Sequence, residues 1–146
     1  MDQPTTAHKP KILIVDDIPV NIQLLQNYLG SGGYQTVTAS NGEEALARVK
    51  ETKPDMVLLD VMMPKLDGFE TCRVLKKSED TSYIPVIMVT ALNELEDKIK
   101  GIEAGADDFI SKPFNRLELL ARVKSLLRVK FLHDQLQEKV TQLELA

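Results

Sequence analysis

The chain has 146 residues, of which 43% are hydrophobic and 27% are charged. This mixture is typical of one globular domain of about 100 to 200 residues, and it excludes a disordered or collagen-like chain. Eighteen basic and 22 acidic residues give a net charge of −4. That charge argues against a broad nucleic-acid-binding surface, because such a surface has to neutralise phosphates.

The cysteine and histidine content excludes several kinds of site. Cys72 is the single cysteine, and the two histidines are His8 and His133. An intrachain disulfide and a cysteine-based zinc site are therefore excluded, and a histidine-rich metal site is disfavoured. No apolar segment approaches the roughly 20 residues that span a bilayer, and residues 1–10 lack the apolar core of a signal peptide. We expect a reducing, cytoplasmic location.

The first strand and helix are predicted by a change of hydrophobic periodicity. After a polar arm at residues 1–9, the apolar run 11–15 predicts a strand that is buried on both faces. The strand ends at Asp16 and Asp17, which we expect to cap a helix with Pro19 in its first turn. The apolar positions of this helix are Ile18, Ile22, Leu25 and Leu29.

Two further strand–helix pairs follow. Residues 35–39 predict the second strand, and Ser40 with Glu43 has the spacing of a capping box for the second helix. Residues 55–60 repeat the character of the first strand and also end in aspartate; after a loop, a third helix begins near Asp67. The residues expected to face inward are Ala45, Leu46 and Val49 in the second helix, and Phe69, Cys72 and Leu75 in the third.

The last part of the chain continues the alternation. Residues 85–90 and 107–111 predict the fourth and fifth strands, and Asn115 with Glu118 predicts the cap of a fifth helix. The fourth helix, which ends near Gly105, carries the apolar residues Leu95, Ile99 and Ile102. Five strands alternating with five helices predict a doubly wound α/β domain, a parallel sheet with helices on both faces.

Polar residues stand at the carboxyl ends of the predicted strands, where folds of this class bind ligands. They are Asp16, Asp17, Asp60, Thr90 and Lys112. Three carboxylates at one edge repel each other, and a divalent cation would relieve that repulsion. Mg²⁺ fits better than zinc or copper because it prefers hard oxygen ligands. With Mg²⁺ and the lysine the local charge sums to zero, so the pocket suits a phosphoryl group and an attacking aspartate.

Four ordered motifs over about residues 10–127 resemble the receiver domain of two-component response regulators. They are Ile-Val-Asp-Asp, Leu-Leu-Asp-Val-Met-Met-Pro-Lys-Leu-Asp-Gly-Phe-Glu, Ile-Met-Val-Thr-Ala and Lys-Pro-Phe. The resemblance implies a flavodoxin-like sheet with strand order 2-1-3-4-5. It also implies that Asp60 accepts a phosphoryl group from a phosphohistidine on a sensor histidine kinase or a phosphotransfer protein.

The resemblance further implies a set of metal ligands. Asp17, Asp60 and the backbone carbonyl of Met62 would hold Mg²⁺, and Mn²⁺ could substitute for it. Asp16 would coordinate either directly or through a water. No other cofactor is implied.

The same resemblance implies the residues that bind the phosphoryl group and respond to it. Lys112 and Thr90 would contact the phosphoryl oxygens, and the Lys112–Pro113 peptide bond is expected to be cis. Thr90, the small Ala91 beside it, and the aromatic Phe109 would form the conformational switch. Ala91 would leave room for the phosphoryl donor.

Two apolar residues lead to a hypothesis about the lifetime of the phosphorylated state. Met62 and Leu92 lie two residues beyond Asp60 and Thr90, where receivers often carry polar side chains that influence the hydrolytic water. We expect a comparatively long-lived phosphoryl group on Asp60, lost by slow autodephosphorylation.

The last predicted helix is longer than a receiver domain needs. Residues 115–146 would span about 48 Å as a helix, and this end of the chain is basic, with seven basic and four acidic residues from position 112 onward. Leu119, Leu120, Val123, Leu126 and Leu127 can cover the sheet. Beyond them, Leu132, Leu136, Val140 and Leu143 resemble a coiled-coil seam with one irregular step.

We therefore expect a flexible arm at 1–9, a receiver at 10–127 and a helical extension at 128–146. The extension would dimerise, favoured by phosphorylation, and connect to an output domain; similar tails precede cyclic-dinucleotide synthases, phosphodiesterases or sensor kinases. A frayed tail is the alternative.

Three other functions fit the sequence less well. A phosphatase with an aspartyl-phosphate intermediate needs an acid two residues after the nucleophile, and Met62 occupies that position. An interaction module that has lost phosphorylation would not need all five site residues. DNA binding is weakly supported, because the basic residues of the last segment are interleaved with acidic ones. We expect neither an enzyme acting on other substrates nor contacts to nucleic acid or membrane.

Overall fold

The structure is a computed structural model that describes residues 9–61, 67–90 and 95–145. In this part of the chain five strands alternate with five helices. The strands are β1 Lys11–Val15, β2 Gln35–Ala39, β3 Met56–Asp60, β4 Val86–Thr90 and β5 Asp108–Ser111. The helices are α1 Pro19–Ser31, α2 Gly42–Thr52, α3 Gly68–Lys77, α4 Leu95–Ala104 and α5 Arg116–Leu145. All four strand pairings are parallel, in the order β2-β1-β3-β4-β5, which confirms the predicted fold and strand order.

Two hydrophobic layers cover the sheet because successive strand residues point to opposite faces. Helices α2, α3 and α4 pack on the face that carries Leu13, Leu59 and Met88. Helices α1 and α5 pack on the face that carries Ile12 and Ile14. The chain changes faces between β1 and β3, so the carboxyl ends of these two strands meet at the switch point where doubly wound folds place their ligands.

The start of α1 differs from the prediction. Ile18, rather than an aspartate, occupies the N-cap position, and it makes no side-chain cap hydrogen bond. Ile18 was expected on the apolar face of the helix but is 45% exposed. Pro19 does lie in the first turn, where its missing N–H leaves no hydrogen bond unmade.

The cap of α2 is shifted by one residue from the predicted Ser40–Glu43 pair. Asn41 is the N-cap, and its side chain accepts the Glu44 N–H at 2.8 Å. Glu44 in turn accepts the Ser40 N–H at 2.7 Å. The predicted cap at Ser40 is therefore wrong by one position. Asparagine caps helices about as well as serine does, so either residue fits the pattern.

The caps of α3 and α5 confirm the predictions. The Asp67 side chain accepts the Glu70 N–H at 2.8 Å, and the Asn115 side chain accepts the Glu118 N–H at 2.9 Å. The dipeptide at 67–68 is thus the beginning of a helix, as expected.

The apolar residues that predicted α4 do not face the core. Leu95, Ile99 and Ile102 are 72%, 46% and 64% exposed, whereas Gly101 and Ala104 are buried. The reason is a close contact, since a Cβ at position 101 would overlap the ring of Phe109 on β5. The helix therefore turns its smallest residues toward the sheet and its large apolar residues outward.

Helix α5 runs without a break from the sheet into the extension. Leu119, Val123 and Leu127 are buried in the hydrophobic cluster that also contains Ile12 and Ile14, and Leu120 and Leu126 are partly buried beside them. Its 30 residues span about 45 Å. None of the helices described here is long and apolar enough to cross a membrane.

Candidate functional site

Three carboxylates meet at the carboxyl edge of the sheet. One oxygen from each of Asp16, Asp17 and Asp60 lies within 4.8 Å of the others. The strands bring them together, because Val15 pairs with Leu59 in the β1–β3 register and the aspartates come next. Asp16 and Asp60 are 1% and 3% exposed, and Asp17 faces solvent. The expected cluster of these three aspartates is present.

The start of α1 orients Asp16. Its Oδ1 accepts the Ile18 N–H at 2.9 Å, and its Oδ2 accepts the Asn21 side-chain amide at 3.2 Å. These donors compensate for part of the burial of a charged group. Asn21 was not predicted as a site residue; its position one turn into the helix after Asp16 is the only signal in the sequence.

Lys112 lies across the two buried carboxylates. Its Nζ is 3.5 Å from Asp60 Oδ1 and 3.9 Å from Asp16 Oδ2. Both distances exceed the 2.7–3.2 Å of a direct N–H···O hydrogen bond. The Lys112 N–H donates to the Thr90 carbonyl at 2.7 Å, and the following bond to Pro113 is cis, as expected. The backbone thus holds the ammonium group over the acidic cluster.

Thr90 lies on β4, the strand next to that of Asp60, and Phe109 lies one strand further away, on β5. Val89 pairs with Asp60, so Thr90 lies one residue beyond it, and Thr90 is 3% exposed. Phe109 is half-buried on β5, in register with Met88. The predicted hydroxyl and aromatic residues are therefore both near this edge of the sheet.

Gly68 permits a close approach of α3 to the end of β3. A Cβ at this position would overlap the carbonyl oxygen of Asp60 and lie 2.9 Å from Val61 Cα. The Gly68 N–H donates to the Val61 carbonyl at 3.2 Å. A glycine is therefore required next to the end of β3, whereas the sequence indicated only that a helix begins near Asp67.

Several predicted residues lie outside the described part of the chain. They are Met62, Ala91 and Leu92, together with residues 1–8 of the predicted arm at 1–9. Their assigned roles remain predictions.

Cys72, Asp107 and Asp108 have structural roles. Cys72 is fully buried, its Sγ donates to the Ala104 carbonyl at 3.5 Å, and burial raises the pKa of the thiol to about 11. Asp108 binds the Arg122 guanidinium through two contacts of 2.8 and 2.9 Å; this hydrogen bonding raises the pKa of Arg122. Asp107 accepts the N–H of the first β4 residue at 2.8 Å.

The chain matches a known protein family over most of its length. The response regulator receiver domain family matches residues 12–124, which are 113 of the 146 residues. The chain belongs to the response regulator receiver domain family. This result confirms the resemblance carried by the four motifs, and it agrees with the strand order and with the position of the acidic cluster.

Curated relatives are response regulators of greater length. Response regulator PleD of Caulobacter vibrioides is 46% identical over 129 residues, which are 88% of this chain and 28% of PleD. The alkaline phosphatase synthesis transcriptional regulatory protein PhoP of Bacillus subtilis is 49% identical over 118 residues, which are 81% of this chain and 48% of PhoP. The receiver therefore spans between about a quarter and a half of these relatives.

Solved receiver structures share the fold over most of the chain. The signal receiver domain of a signal transduction histidine kinase from Syntrophus aciditrophicus has a TM-score of 0.77 and 43% identity, covering 82% of this chain and 90% of that one. The receiver domain of sensor histidine kinase PA1611 from Pseudomonas aeruginosa has a TM-score of 0.77 and 30% identity, covering 82% of this chain and 98% of that one. The PA1611 domain has a magnesium ion coordinated in its active-site cleft.

Proposed function

We propose that this receiver domain accepts a phosphoryl group on Asp60 from a phosphohistidine of a sensor histidine kinase or a phosphotransfer protein, in a Mg²⁺-dependent reaction. The observation that carries the proposal is the cluster of Asp16, Asp17 and Asp60 beneath the Lys112 ammonium group. The protein is then a phospho-accepting signalling domain, located in the cytoplasm with its kinase, rather than an enzyme acting on other substrates.

The donor set fits a hard divalent cation. Asp17 and Asp60 would hold Mg²⁺, with Asp16 coordinating directly or through a water and the Met62 carbonyl completing the protein ligands. All the described donors are carboxylate oxygens, which Mg²⁺ and Mn²⁺ both accept. When bound, the cation would neutralise charge on the phosphoryl oxygens.

Three side chains act directly in the proposed phosphoryl transfer. An Asp60 oxygen attacks phosphorus while the bond from phosphorus to the donor imidazole nitrogen breaks, and the imidazole retains the electron pair of that bond. The Lys112 ammonium stabilises the transferring oxygens, and the Thr90 hydroxyl donates a hydrogen bond to one of them. Ile18 and Asn21 hold Asp16 in place throughout.

The phosphorylated site would bias a conformational switch. Thr90 moves toward the phosphoryl group, and Phe109 turns inward into the space beside it. Because the Phe109 ring packs on Gly101, its movement changes how α4 packs on the sheet. Ala91 leaves room for the donor to approach.

The phosphorylated state should be long-lived, because Met62 and Leu92 offer no polar group to the hydrolytic water. The double variant Met62→Asn with Leu92→Glu should dephosphorylate faster than the wild type in a time course of intact mass. An unchanged rate would show that these positions do not determine the lifetime.

We further propose that the switch controls an output domain through a phosphorylation-favoured homodimer formed by the extension at 128–146. A single-domain or phosphorylation-independent interaction module that acts through this helix is the alternative, and neither proposal includes nucleic-acid or membrane contacts. The support is the exposed apolar residues that α5 carries beyond the sheet, among them Leu132, Leu136 and Leu143.

The test is phosphorylation with acetyl phosphate and Mg²⁺, followed by intact mass measurement. The wild type should gain the mass of one phosphoryl group, whereas Asp60→Asn should gain none. Asp67→Asn is the matched control: asparagine caps a helix as well as aspartate does, so the adduct should persist. A wild type without the adduct, or an adduct that persists in Asp60→Asn, would overturn the proposal.

A further inference from the structure

Asn21 lies in the first turn of α1 and contacts the acidic cluster. Its backbone N–H donates to the Ile18 carbonyl at 3.0 Å, which fixes its place at the beginning of the helix. Its side-chain amide nitrogen donates to Asp16 Oδ2 at 3.2 Å. Because an ionised carboxylate accepts hydrogen bonds and cannot donate them, the NH₂ group of the amide has to face Asp16. Asn21 thus supplies a neutral donor to a carboxylate that is 1% exposed.

Both oxygens of Asp16 are bound by neutral donors. Oδ1 accepts the Ile18 N–H at 2.9 Å, and Oδ2 accepts the Asn21 amide. Neither donor cancels the negative charge of the carboxylate, so Asp16 keeps the charge that attracts a divalent cation. A lysine or arginine at position 21 would cancel that charge. An amide is therefore the kind of donor that suits a buried carboxylate in a cation site.

Lys112 lies between two carboxylates that both attract it. Its Nζ is 3.9 Å from Asp16 Oδ2 and 3.5 Å from Asp60 Oδ1. A direct, charge-assisted hydrogen bond from an ammonium group to a carboxylate is shorter, about 2.7–2.9 Å. The ammonium group is therefore in direct contact with neither of these two oxygens, and it lies closer to the proposed acceptor than to Asp16.

Removal of the Asn21 amide would change the balance between these carboxylates. Oδ2 of Asp16 would lose the donor that it has now, and a buried, charged oxygen without a donor is costly. The Lys112 ammonium group stands at the end of a flexible four-carbon chain, and a shift of about 1 Å would give it a direct bond to Oδ2. The Lys112 backbone could stay in place, with its N–H on the Thr90 carbonyl at 2.7 Å.

We propose that Asn21 is a positioning residue: by binding Oδ2 of Asp16, it keeps the Lys112 ammonium group beside Asp60, where that group can bind the transferring phosphoryl oxygens. The inference rests on the phosphoryl transfer proposed above and adds to it a residue that acts through Lys112. An ammonium group bound to Asp16 would oppose the reaction in two ways. It would compete with the divalent cation for a carboxylate, and it would leave the phosphoryl oxygens without their lysine.

A double-mutant cycle in the whole chain tests this role. Asn21→Leu replaces the amide by an apolar group of similar size, and Lys112→Met replaces the ammonium group by an uncharged chain. The rate at which the phosphoryl adduct forms is measured by intact mass, with acetyl phosphate and saturating Mg²⁺. Asn21→Leu should slow the reaction about tenfold when Lys112 is present. In the Lys112→Met background the same change should slow it less than about twofold, because the residue through which Asn21 acts is gone.

Two variants serve as controls for the cycle. Asn21→Gln keeps a neutral amide donor and should restore most of the wild-type rate. Asn27→Leu makes the same substitution at an exposed position of the same helix and should leave the rate unchanged. If urea denaturation shows that Asn21→Leu does not fold, Asn21→Ala takes its place in the cycle, since it removes the donor without adding apolar bulk.

Two further measurements need no phosphoryl donor. In a crystal structure of metal-free Asn21→Leu, the distance from Lys112 Nζ to Asp16 Oδ2 should shorten from 3.9 Å to about 2.8 Å. Titration calorimetry should show that Asn21→Leu binds Mg²⁺ about tenfold more weakly than the wild type, with no change for Asn27→Leu.

Three results would overturn the inference: a wild-type rate in Asn21→Leu, equal slowing in the two Lys112 backgrounds, or a Lys112 ammonium group that stays 3.9 Å from Asp16 in the variant structure. Equal slowing would mean that Asn21 only stabilises the beginning of α1. A wild type that gains no phosphoryl mass would instead contradict the proposed function, so the two failures are distinguishable.

Discussion

Gly68 controls how closely α3 approaches Asp60, the proposed phosphoryl acceptor. The backbone of this helix start lies against the Asp60 carbonyl and Val61, with no space for a side chain. Any Cβ there would push the helix away from the carboxyl end of β3. The acidic cluster depends on this contact because Asp60 is the last residue of that strand.

We expect Gly68→Ala to cost about 1–3 kcal/mol of unfolding free energy and to weaken Mg²⁺ binding. Gly30→Ala is the matched control: no atom lies within 4 Å of a Cβ there, and alanine in a helix should stabilise by about 0.4–1 kcal/mol. Urea denaturation and Mg²⁺ titration calorimetry measure both effects. Equal stability of the two variants would contradict the proposed packing role.

Cys72 gives a second residue-scale prediction. Because burial raises the thiol pKa from 9.0 to about 11, the folded protein should not react with a disulfide reagent at pH 8, and the urea-unfolded protein should react at once. The unfolded thiol ionises first as the pH rises, so Cys72 should reduce stability between about pH 9 and 11. Cys72→Ser is the control that lacks the reactive group. Rapid labelling of the native protein would contradict the burial.

At the element scale, α5 depends on one buried lysine. Lys130 lies between Asp55, at the start of β3, and Asp134 on its own helix. Desolvation by itself would lower the pKa of Lys130, but the hydrogen bonds and charges of the two aspartates outweigh it and raise the pKa above 10.5. Asp55 also accepts the Lys11 N–H at 2.8 Å, so the lysine connects α5 to the N-terminal ends of β1 and β3.

We expect Lys130→Ala to lower the unfolding free energy by about 2 kcal/mol, since it removes the ammonium group that contacts the buried Asp55 carboxylate at 2.9 Å. Lys124→Ala, at an exposed position of the same helix, should change stability by less than about 0.5 kcal/mol. Because the pKa of Lys130 is raised in the folded protein, its ion pairs stabilise the fold fully below pH 10.5. This stabilisation is lost as the pH rises through the pKa of Lys130 in the folded state. The difference between wild type and Lys130→Ala should therefore narrow above that pH. If urea titrations show that Lys130→Ala and Lys124→Ala lose the same unfolding free energy, the proposed stabilising role of Lys130 is wrong.

At the scale of the whole molecule, we expect the acidic cluster to lower the unfolding free energy of the protein when no cation is bound. Without a cation, removing one carboxylate relieves repulsion, so Asp17→Asn should be at least as stable as the wild type. With Mg²⁺ at 100 times its dissociation constant, the wild type should gain about 2.7 kcal/mol, and the variant should gain little at that concentration. Thermal unfolding with Mg²⁺ and with EDTA measures both states. A wild type indifferent to Mg²⁺ would contradict the assignment of the site.

The fold and the acidic site were predictable because both depend on local patterns. Apolar runs that end in aspartate, threonine or lysine place those side chains at one edge of a parallel sheet, whatever the details of packing. The face of α4 that packs on the sheet was not predictable in this way. Its large apolar residues suggested one face, but the close contact between Gly101 and Phe109 places the opposite face on the sheet. The burial of Lys130 was also not predicted. Its partner Asp55 is 75 residues away in the sequence, and hydrophobic periodicity identifies only apolar residues as buried.

The central claim is that Asp60 is the acceptor. The most direct measurement is peptide mapping of protein treated with acetyl phosphate and Mg²⁺ and then reduced with borohydride, which converts an aspartyl phosphate to homoserine. We predict homoserine at position 60 and unmodified aspartate at 16 and 17, with no conversion in the presence of EDTA. Homoserine at position 16 or 17, or at no aspartate of a protein that has gained the phosphoryl mass, would contradict it.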